Sequence, residues 1–155
     1  MRGILMNIQF ERASLEDADI LISVQNQSFC SDFIKYGVCP GYNRSRDSMV
    51  ESISHNYVYK ILCDGLVVGD IIVRDNDNGD YYLGCICVIP DYENKGIGQA
   101  AMNFINDCFP DAKHWSLETP SDKSRNHYFY KKHGYEVTKE YYVEDVLISF
   151  FEKYL

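Results

Sequence analysis

The sequence predicts a mixed α/β (α+β) fold in a single domain over residues 1–155, from three observations. The length suits one domain, and no repeat, low-complexity tract or linker divides the chain. The hydrophobic pattern changes along the chain between a helical period and strand-like alternation. Two turn dipeptides, Asp64-Gly65 and Asn78-Gly79, separate strand-like runs as they do in hairpins. The predicted order of elements is β-α-α-β-β-β-α-β-α-β-β.

The first part of the chain combines a short strand with two helices. Residues Ile8–Glu11 are a strand candidate, after which Ser14 and Asp17 fit an acidic capping box at a helix start. Four apolar residues share one face of that helix: Ala18, Leu21, Ile22 and Phe29. The stretch from Ser31 to Arg46 is rich in turn-forming residues, so a long connection is expected there. A short helix is expected around Ser48–Ser54.

The centre of the chain predicts three strands and the most amphipathic helix. The strand-like runs are Tyr57–Cys63, Leu66–Arg74 and Tyr81–Ile89. The helix begins near Gly98, and Pro110 ends it. Its buried stripe follows helical spacing through Ile97, Ala101, Phe104, Ile105 and Cys108.

The last part of the chain predicts strand, helix and two closing strands. His114–Glu118 is the next strand candidate, and Arg125–His133 a helix closed by Gly134 as a left-handed cap. The runs Tyr135–Tyr142 and Val146–Phe151 are typical of strands. Together these elements predict about six to seven strands and about four helices.

Charge and hydropathy exclude several classes of function. The net charge of −8 argues against nucleic acid as the main partner, because phosphate binding needs a basic surplus. No run approaches the roughly 20 apolar residues of a membrane span. The segment from Met1 to Phe10 has too short an apolar run for a signal peptide, so we expect a cytoplasmic protein.

The charges are unevenly distributed along the chain. From Asp64 to Glu93 there are seven acids and one base, and from Lys123 to Lys132 four bases and no acid. This pattern suits a protein that holds one cationic and one anionic ligand, and two solvated faces explain it as well. The six cysteines lack a C-x-x-C pair, and Cys85 and Cys87 alternate within an apolar run. We therefore expect reduced, structural thiols, and the four histidines show no metal-binding spacing.

Gly96 and Gly98 open the central helix and make its start a candidate anion site. Unpaired N–H groups and the positive end of the helix dipole favour anions there, and glycine allows close approach. The pattern G-x-G-x-x-A, with Glu118 near the expected acidic position, also fits a dinucleotide-binding loop. However, Pro90–Lys95 separates this loop from its strand, and too few βαβ units follow. A nucleotide-binding oxidoreductase is therefore disfavoured.

Two longer runs resemble the motifs of one enzyme superfamily. The run from Ile86 to Gly98 is similar to motif A of the GNAT acyltransferases, a strand followed by Q/R-x-x-G-x-G/A. The run from Arg125 to Tyr135 is similar to motif B, an Asn-bearing helix ending F-Y-x-K-x-G-F/Y. The order of elements also matches over nearly the whole chain. Glu93 departs from the pattern by standing where Gln or Arg is usual, which leaves the backbone of the loop to bind phosphate.

The resemblance implies a central mixed, mostly antiparallel sheet and acetyl-CoA as acyl donor, without a metal. The CoA pyrophosphate would lie on the loop Asn94, Lys95, Gly96, Ile97, Gly98 and Gln99. The pantetheine arm would lie beside the backbone of Ile86 and Val88, where one N–H polarises the thioester carbonyl. Asn126, Tyr130 and Lys132 are implied to contact the cofactor, with Lys95, Lys123, Arg125 and Lys131 as further phosphate-binding candidates.

Two side chains are candidates for proton transfer. Tyr130 stands at the position of the family's general acid, and a phenol suits protonation of the departing thiolate. The alternative is that this ring only packs. Glu118 ends a predicted strand and is the candidate base through water, unless it is a solvated carboxylate. His127 and His133 are the alternative bases.

The resemblance therefore implies transfer of an acetyl or other acyl group to a primary amine of a small molecule or peptide by direct attack. The acidic run favours a cationic acceptor. The alternative is a catalytically silent acyl-CoA-binding module, and either a monomer or a homodimer is compatible with the sequence.

Overall fold

The computed structural model describes residues 6–155. Its strands are β1 (Ile8–Arg12), β2 (Tyr57–Cys63), β3 (Leu66–Asp75), β4 (Asp80–Val88), β5 (His114–Pro120), β6 (Glu136–Val143) and β7 (Val146–Tyr154). Its α-helices are α1 (Ala18–Tyr36), α2 (Arg46–His55), α3 (Ile97–Cys108) and α4 (Ser124–Lys132). Residues 1–5 lie outside the described residues. They belong to the domain predicted over 1–155 and form half of the segment Met1–Phe10, which was tested for a signal peptide.

The seven strands form one sheet in the order β1-β2-β3-β4-β5-β7-β6. All neighbouring strands are antiparallel except β4 and β5, which are parallel. The predicted mixed, mostly antiparallel sheet with about four helices is confirmed. Within residues 6–155, no helix is both long and apolar enough to cross a membrane.

Helices cover both faces of the sheet, and each face has its own core. On one face Met102 and Ile105 of α3 are fully buried with Trp115 of β5. On the other face Leu21 of α1 and Met49 of α2 are fully buried in a second cluster. The predicted stripe of α3 lies in the first core, although Cys108 at its end is exposed.

Helix α1 is longer than the sequence predicts. Its start follows the predicted capping box, since the Asp17 carboxylate accepts from the Ser14 N–H at 2.8 Å. The turn-rich stretch expected from Ser31 is wrong over its first six residues, because α1 continues to Tyr36. Gly37, with φ of 74°, ends it, and its N–H donates to the Phe33 carbonyl at 2.9 Å. The polar composition of the last turns reflects contacts to another loop rather than a helix end.

Candidate active site

The parallel strands β4 and β5 are paired at one end only. Within residues 6–155 they pair over three positions, Asp80–Tyr82 against His114–Ser116. Just beyond, the register between β3 and β4 shifts, so that Gly84 is an extra residue on β4. Such a bulge bends the strand and ends regular pairing. The edge of β4 that faces β5 is therefore open from Leu83 onwards.

The backbone of Ile86 and Val88 is directed to this open edge. The Ile89 N–H donates to the Val68 carbonyl at 2.8 Å, so residue 89 faces β3. Cys87, paired with Asp70, also faces β3, since a Cβ on the neighbouring Gly69 would lie 2.0 Å from the Cys87 carbonyl oxygen. Backbone groups of consecutive residues point to opposite edges of a strand, and those of every second residue point to the same edge. Within residues 6–155, the N–H and carbonyl groups of Ile86 and Val88 therefore face the open edge without a partner strand.

The loop after β4 presents a row of unused N–H groups. A one-turn 3₁₀ helix, Pro90–Tyr92, leads into it, and Asn94 and Gly96 adopt left-handed φ values of 60° and 81°. Within residues 6–155, no N–H from Asn94 to Gln99 donates to a protein acceptor, and the first helical bond is from Ala100 to the Gly96 carbonyl. The loop residues 93–96 are exposed. This concave backbone at a helix start fits an anion such as pyrophosphate.

Three features surround this loop: a buried side chain, a hydrogen bond from α4 and the close approach of the Phe129 ring to Gly98. The Ile97 side chain is buried in the core, so only its backbone is available to a ligand. The Arg125 guanidinium donates to the Asn94 side-chain oxygen, which links α4 to the loop. A Cβ on Gly98 would lie 3.4 Å from the Phe129 ring. Arg125 is thus placed at the loop, whereas Lys95 and Lys132 are exposed without a recorded partner in the described part of the chain.

A cleft of about 950 Å³ opens beside the free edge of β4. Its walls come from the C-terminal half of α1, the start of α2, β3, β4, β5, α4 and the β6–β7 hairpin. Four of the predicted site residues line it: Ile86, Glu118, Asn126 and Tyr130. The structure therefore brings the candidate catalytic groups to one cavity and the phosphate loop to the far end of β4.

Tyr130 combines a buried ring with a hydroxyl at the cleft. The ring packs against Phe129, Tyr135 and Phe151, with centroids 5.4, 6.0 and 5.7 Å away. Within residues 6–155 the hydroxyl has no hydrogen-bond partner. Burial, with a smaller effect of the nearby Cys85 thiol, raises the pKa of Tyr130, so the phenol stays protonated at neutral pH. A protonated, unpaired hydroxyl in a cleft can donate to a ligand.

Glu118 lies on β5, two residues beyond the pairing of this strand with β4, and is exposed. Its carboxylate accepts a hydrogen bond from the Tyr82 hydroxyl at 2.9 Å, and both residues line the cleft. Asn126 is held by its amide N–H₂, which donates to the Thr119 hydroxyl at 3.0 Å. The alternative bases His127 and His133 have buried Nε2 atoms without a partner in the described residues, and neither lines the cleft.

A buried polar cluster lies behind β4 and was not predicted from the sequence. Asp70 of β3 is fully buried and accepts from Cys85 and Cys87, each at 3.3 Å, and from the Gln25 amide at 2.8 Å. Burial raises the pKa of Asp70 to about 6. The hydrogen bond with Cys87, together with burial, raises the pKa of Cys85, so that its thiol stays protonated. All six cysteines are free. The sequence feature that could have indicated this cluster is Asp70, an acid inside the apolar run Leu66–Val73.

The same cleft contains two cationic side chains, Lys123 and Arg44, and the sequence patterns singled out only the first of them. Lys123 forms a salt bridge with Asp32 of α1 at 2.6 Å, and Arg44 lies against the start of α2. The Tyr36 hydroxyl donates to Asp122 at 2.6 Å. These bonds join the end of α1 to the β5–α4 loop and enclose one side of the cleft. Lys123 is thereby placed in the cleft wall, although it was a phosphate-binding candidate.

Comparison with known proteins identifies a related domain. The sequence profile described as "Acetyltransferase (GNAT) domain" matches residues 54–137, which contain the free edge of β4, the loop and α4. The uncharacterized protein YrkN of Bacillus subtilis (strain 168) is 31% identical over 129 residues. That alignment covers 82% of this chain and 66% of YrkN.

Solved structures share the fold at low sequence identity. The PaiA N-acetyltransferase of Thermoplasma acidophilum, in complex with coenzyme A, has a TM-score of 0.80 and 18% identity, covering 96% of this chain and 99% of that one. The ribosomal-protein-alanine N-acetyltransferase of Escherichia coli has a TM-score of 0.79 and 13% identity, covering 96% and 94%. At these identities the similarity establishes the fold alone.

Proposed function

Because the chain belongs to the GNAT acetyltransferase family, we propose that it transfers an acetyl group from acetyl-CoA directly to a primary amine of a small molecule or peptide. The observation that carries this proposal is the open edge of β4. That edge runs from the cleft, at Ile86, to the loop of unused N–H groups that begins at Asn94. One continuous surface thus connects an anion site with a reaction cavity.

The bound donor would supply an activated acetyl thioester, and this chain's residues would orient it. The N–H groups from Asn94 to Gln99 would hold the pyrophosphate, with Arg125 close to the loop. The Ile86 backbone, at the open edge, would donate to the thioester carbonyl and stabilise negative charge there. The backbone of Val88 would bind the pantetheine arm, and Asn126 would bind from α4.

Two side chains would handle protons. Tyr130 would donate its proton to the departing thiolate, since its hydroxyl is protonated and reaches the cleft. Glu118 would accept the amine proton through water, because it is exposed and already oriented by the Tyr82 hydroxyl. The covered positions of His127 and His133 make them less suited to this role.

The alternative is an acyl-CoA-binding module without catalytic activity. It is favoured by Glu93, an exposed acid at the loop position where Gln or Arg is usual in the family. The deciding experiment is a panel of primary amines assayed for CoA release, with mass spectrometry of the products. Acetylated product with at least one amine supports transfer. Tight acetyl-CoA binding without product from any amine supports the silent module.

We also propose a cytoplasmic location for the protein. The free thiols of the cleft wall and of the exposed Cys30 and Cys108 support a reducing compartment. Labelling of accessible thiols in freshly lysed cells tests this. Unlabelled, oxidised Cys30 and Cys108 in cells would contradict it.

A further inference from the structure

One wall of the cleft carries a guanidinium that has no carboxylate partner. Arg44 immediately precedes the Ser45 cap of α2, is half-buried and lines the cleft. Its Nε donates to the Ser48 hydroxyl at 3.1 Å. Its Nη2 donates to the same hydroxyl and to the Ser48 carbonyl, both at 2.9 Å, and to the Ser52 hydroxyl at 2.6 Å. Within residues 6–155, Nη1 has no acceptor and Arg44 forms no salt bridge.

The other cations near this region are already engaged. Lys123, also in the cleft wall, pairs with Asp32 at 2.6 Å, and Arg46, the first residue of α2, pairs with Asp19 at 3.3 Å outside the cleft. Only neutral oxygens accept from Arg44, so its charge is half-buried without a counterion. Removing charge from water without pairing it is unfavourable. An anionic group on a bound ligand would remove that cost.

Asp70 does not serve as this counterion. Its carboxylate is influenced by the charge of Arg44 through space, but it is fully buried in the sheet. It already accepts from Gln25, Cys85 and Cys87. The free Nη1 of Arg44 is therefore left for a group that enters the cleft.

We propose that Arg44 binds a carboxylate of the acceptor, so that the acceptor is an amino acid or a similar amine that carries a carboxylate. This inference rests on the proposed function and adds the class of substrate. The free Nη1 can donate a charged hydrogen bond to a carboxylate, and Ser48 and Ser52 hold the guanidinium in place before the ligand arrives. Glu118, which lines the same cleft, would receive the amine. Phe29 and Ile148 in the walls suit an apolar side chain.

The test compares acceptors that differ only in the carboxylate. CoA release is measured with amino acids, their amides and the corresponding decarboxylated amines, for the natural chain and for Arg44→Met. The ratio between the two proteins for each acceptor cancels the intrinsic reactivity of its amine. We expect kcat/KM of Arg44→Met to fall about 10- to 100-fold with amino acids, as for loss of a charged hydrogen-bonded pair, and less than about 3-fold with amides and amines.

A matched control removes an arginine two residues further along the chain. Arg46→Met deletes an arginine outside the cleft and is expected to leave every acceptor unchanged. If Arg44→Met does not fold, as judged by its thermal midpoint, Arg44→Gln replaces it. That variant removes the charge but keeps a side chain that can hydrogen-bond, and an unchanged preference for amino acids in it overturns the proposal. Equal losses for acids, amides and amines in Arg44→Met overturn it as well, while leaving acetyl transfer intact.

Binding of the reaction product separates this proposal from the proposed function. Calorimetry with N-acetyl amino acids and their methyl esters does not require turnover. Carboxylate-dependent binding that Arg44→Met loses supports the anion site even when no amine is acetylated, in which case only the transfer proposal fails. Binding that is equal for acid and ester, or absent for both, overturns the role of Arg44.

Discussion

The β4–β5 strand pair is closed by hydrogen bonds and side-chain contacts at one end and open at the other. At the closed end the His114 ring is hydrogen-bonded to Asp80 at 2.6 Å and to Glu152 at 2.9 Å, which links β4, β5 and β7. Trp115 is fully buried there and packs against Tyr81, with ring centroids 5.2 Å apart. At the open end, beyond the Gly84 bulge, β4 stays paired with β3, but within residues 6–155 its edge toward β5 has no partner strand.

The difference shows how a sheet can keep backbone groups available without losing its integrity. Unpaired backbone groups are costly when they are buried, so a fold normally pairs them. Within residues 6–155, β4 and β5 pair at three positions, and side chains supply further contacts between them. We infer that the closed end acts on stability and the open end on ligand binding and turnover. Each prediction below tests one side of this division, from the largest expected effect to the smallest.

The largest effect is expected from filling the loop at the far end of the open edge. Gly98→Trp places a large side chain at the start of α3 beside the unused N–H groups, so acetyl-CoA binding should become undetectable by calorimetry. Gly98→Ala is the control, because its Cβ would make an ordinary 3.4 Å contact with Phe129. The assignment of this loop to CoA fails if Gly98→Trp folds and still binds acetyl-CoA as the natural chain does.

Removal of one hydroxyl in the cleft tests catalysis separately from binding. Tyr130→Phe keeps the ring and its contacts with Phe151, so the helix and the core should be unchanged. If the phenol protonates the departing thiolate, kcat and kcat/KM should fall together by about 10- to 1000-fold with acetyl-CoA affinity nearly constant. A packing role predicts normal turnover for Phe and a loss of stability only for Ala. Wild-type kcat in Tyr130→Phe would therefore remove the acid role.

The loop at the open end could be predicted from the sequence, whereas the contacts between α1 and the β5–α4 loop could not. The loop Asn94–Gln99 is local, because two glycines at a helix start determine its N–H geometry. Gly84 within an apolar strand is a local sign of a bulge, although its effect on β5 depends on the whole sheet. The end of α1 and the Lys123–Asp32 bond were missed, since polar residues that look like a turn here bind a loop 91 positions away.

The third prediction concerns the buried carboxylate behind the open edge. Burial raises the pKa of Asp70 from 3.8 to about 6, so the folded state binds a proton more tightly than the unfolded state. Its contribution to the free energy of unfolding therefore decreases as pH rises from about 4 to about 6, by up to about 3 kcal/mol. In chemical denaturation, Asp70→Asn should gain stability relative to the natural chain over this range.

A carboxylate with the opposite shift is the control for Asp70. Burial works against ionised Asp17, but hydrogen bonds from Ser14 and Lys60 outweigh it and lower the pKa of Asp17. Its stabilisation is present above the unfolded pKa and is lost as pH falls, so Asp17→Asn should cost more at pH 7 than at pH 3. Parallel pH profiles for the two variants would contradict the assignment of a raised pKa to Asp70.

The smallest effect is expected at the closed end and should leave the open end unaffected. Burial lowers the affinity of the His114 ring for a proton, but hydrogen bonds to Asp80 and Glu152 outweigh burial and raise the pKa of His114. The stabilisation is thus complete below the unfolded value near 6.5 and is lost as pH rises through the folded pKa. His114→Gln should lower the free energy of unfolding by on the order of 1 kcal/mol at pH 6, and by less at pH 9.

Asp80→Asn combined with Glu152→Gln should abolish this pH dependence, because it removes both acceptors of the charged ring. Since His114 lies at the paired end of β4, the dissociation constant for acetyl-CoA should stay within about 2-fold of the natural value at either pH, well below one charged hydrogen bond. A large change in that constant, with unfolding unaffected, would show that the two ends of the strand pair are not separate in function.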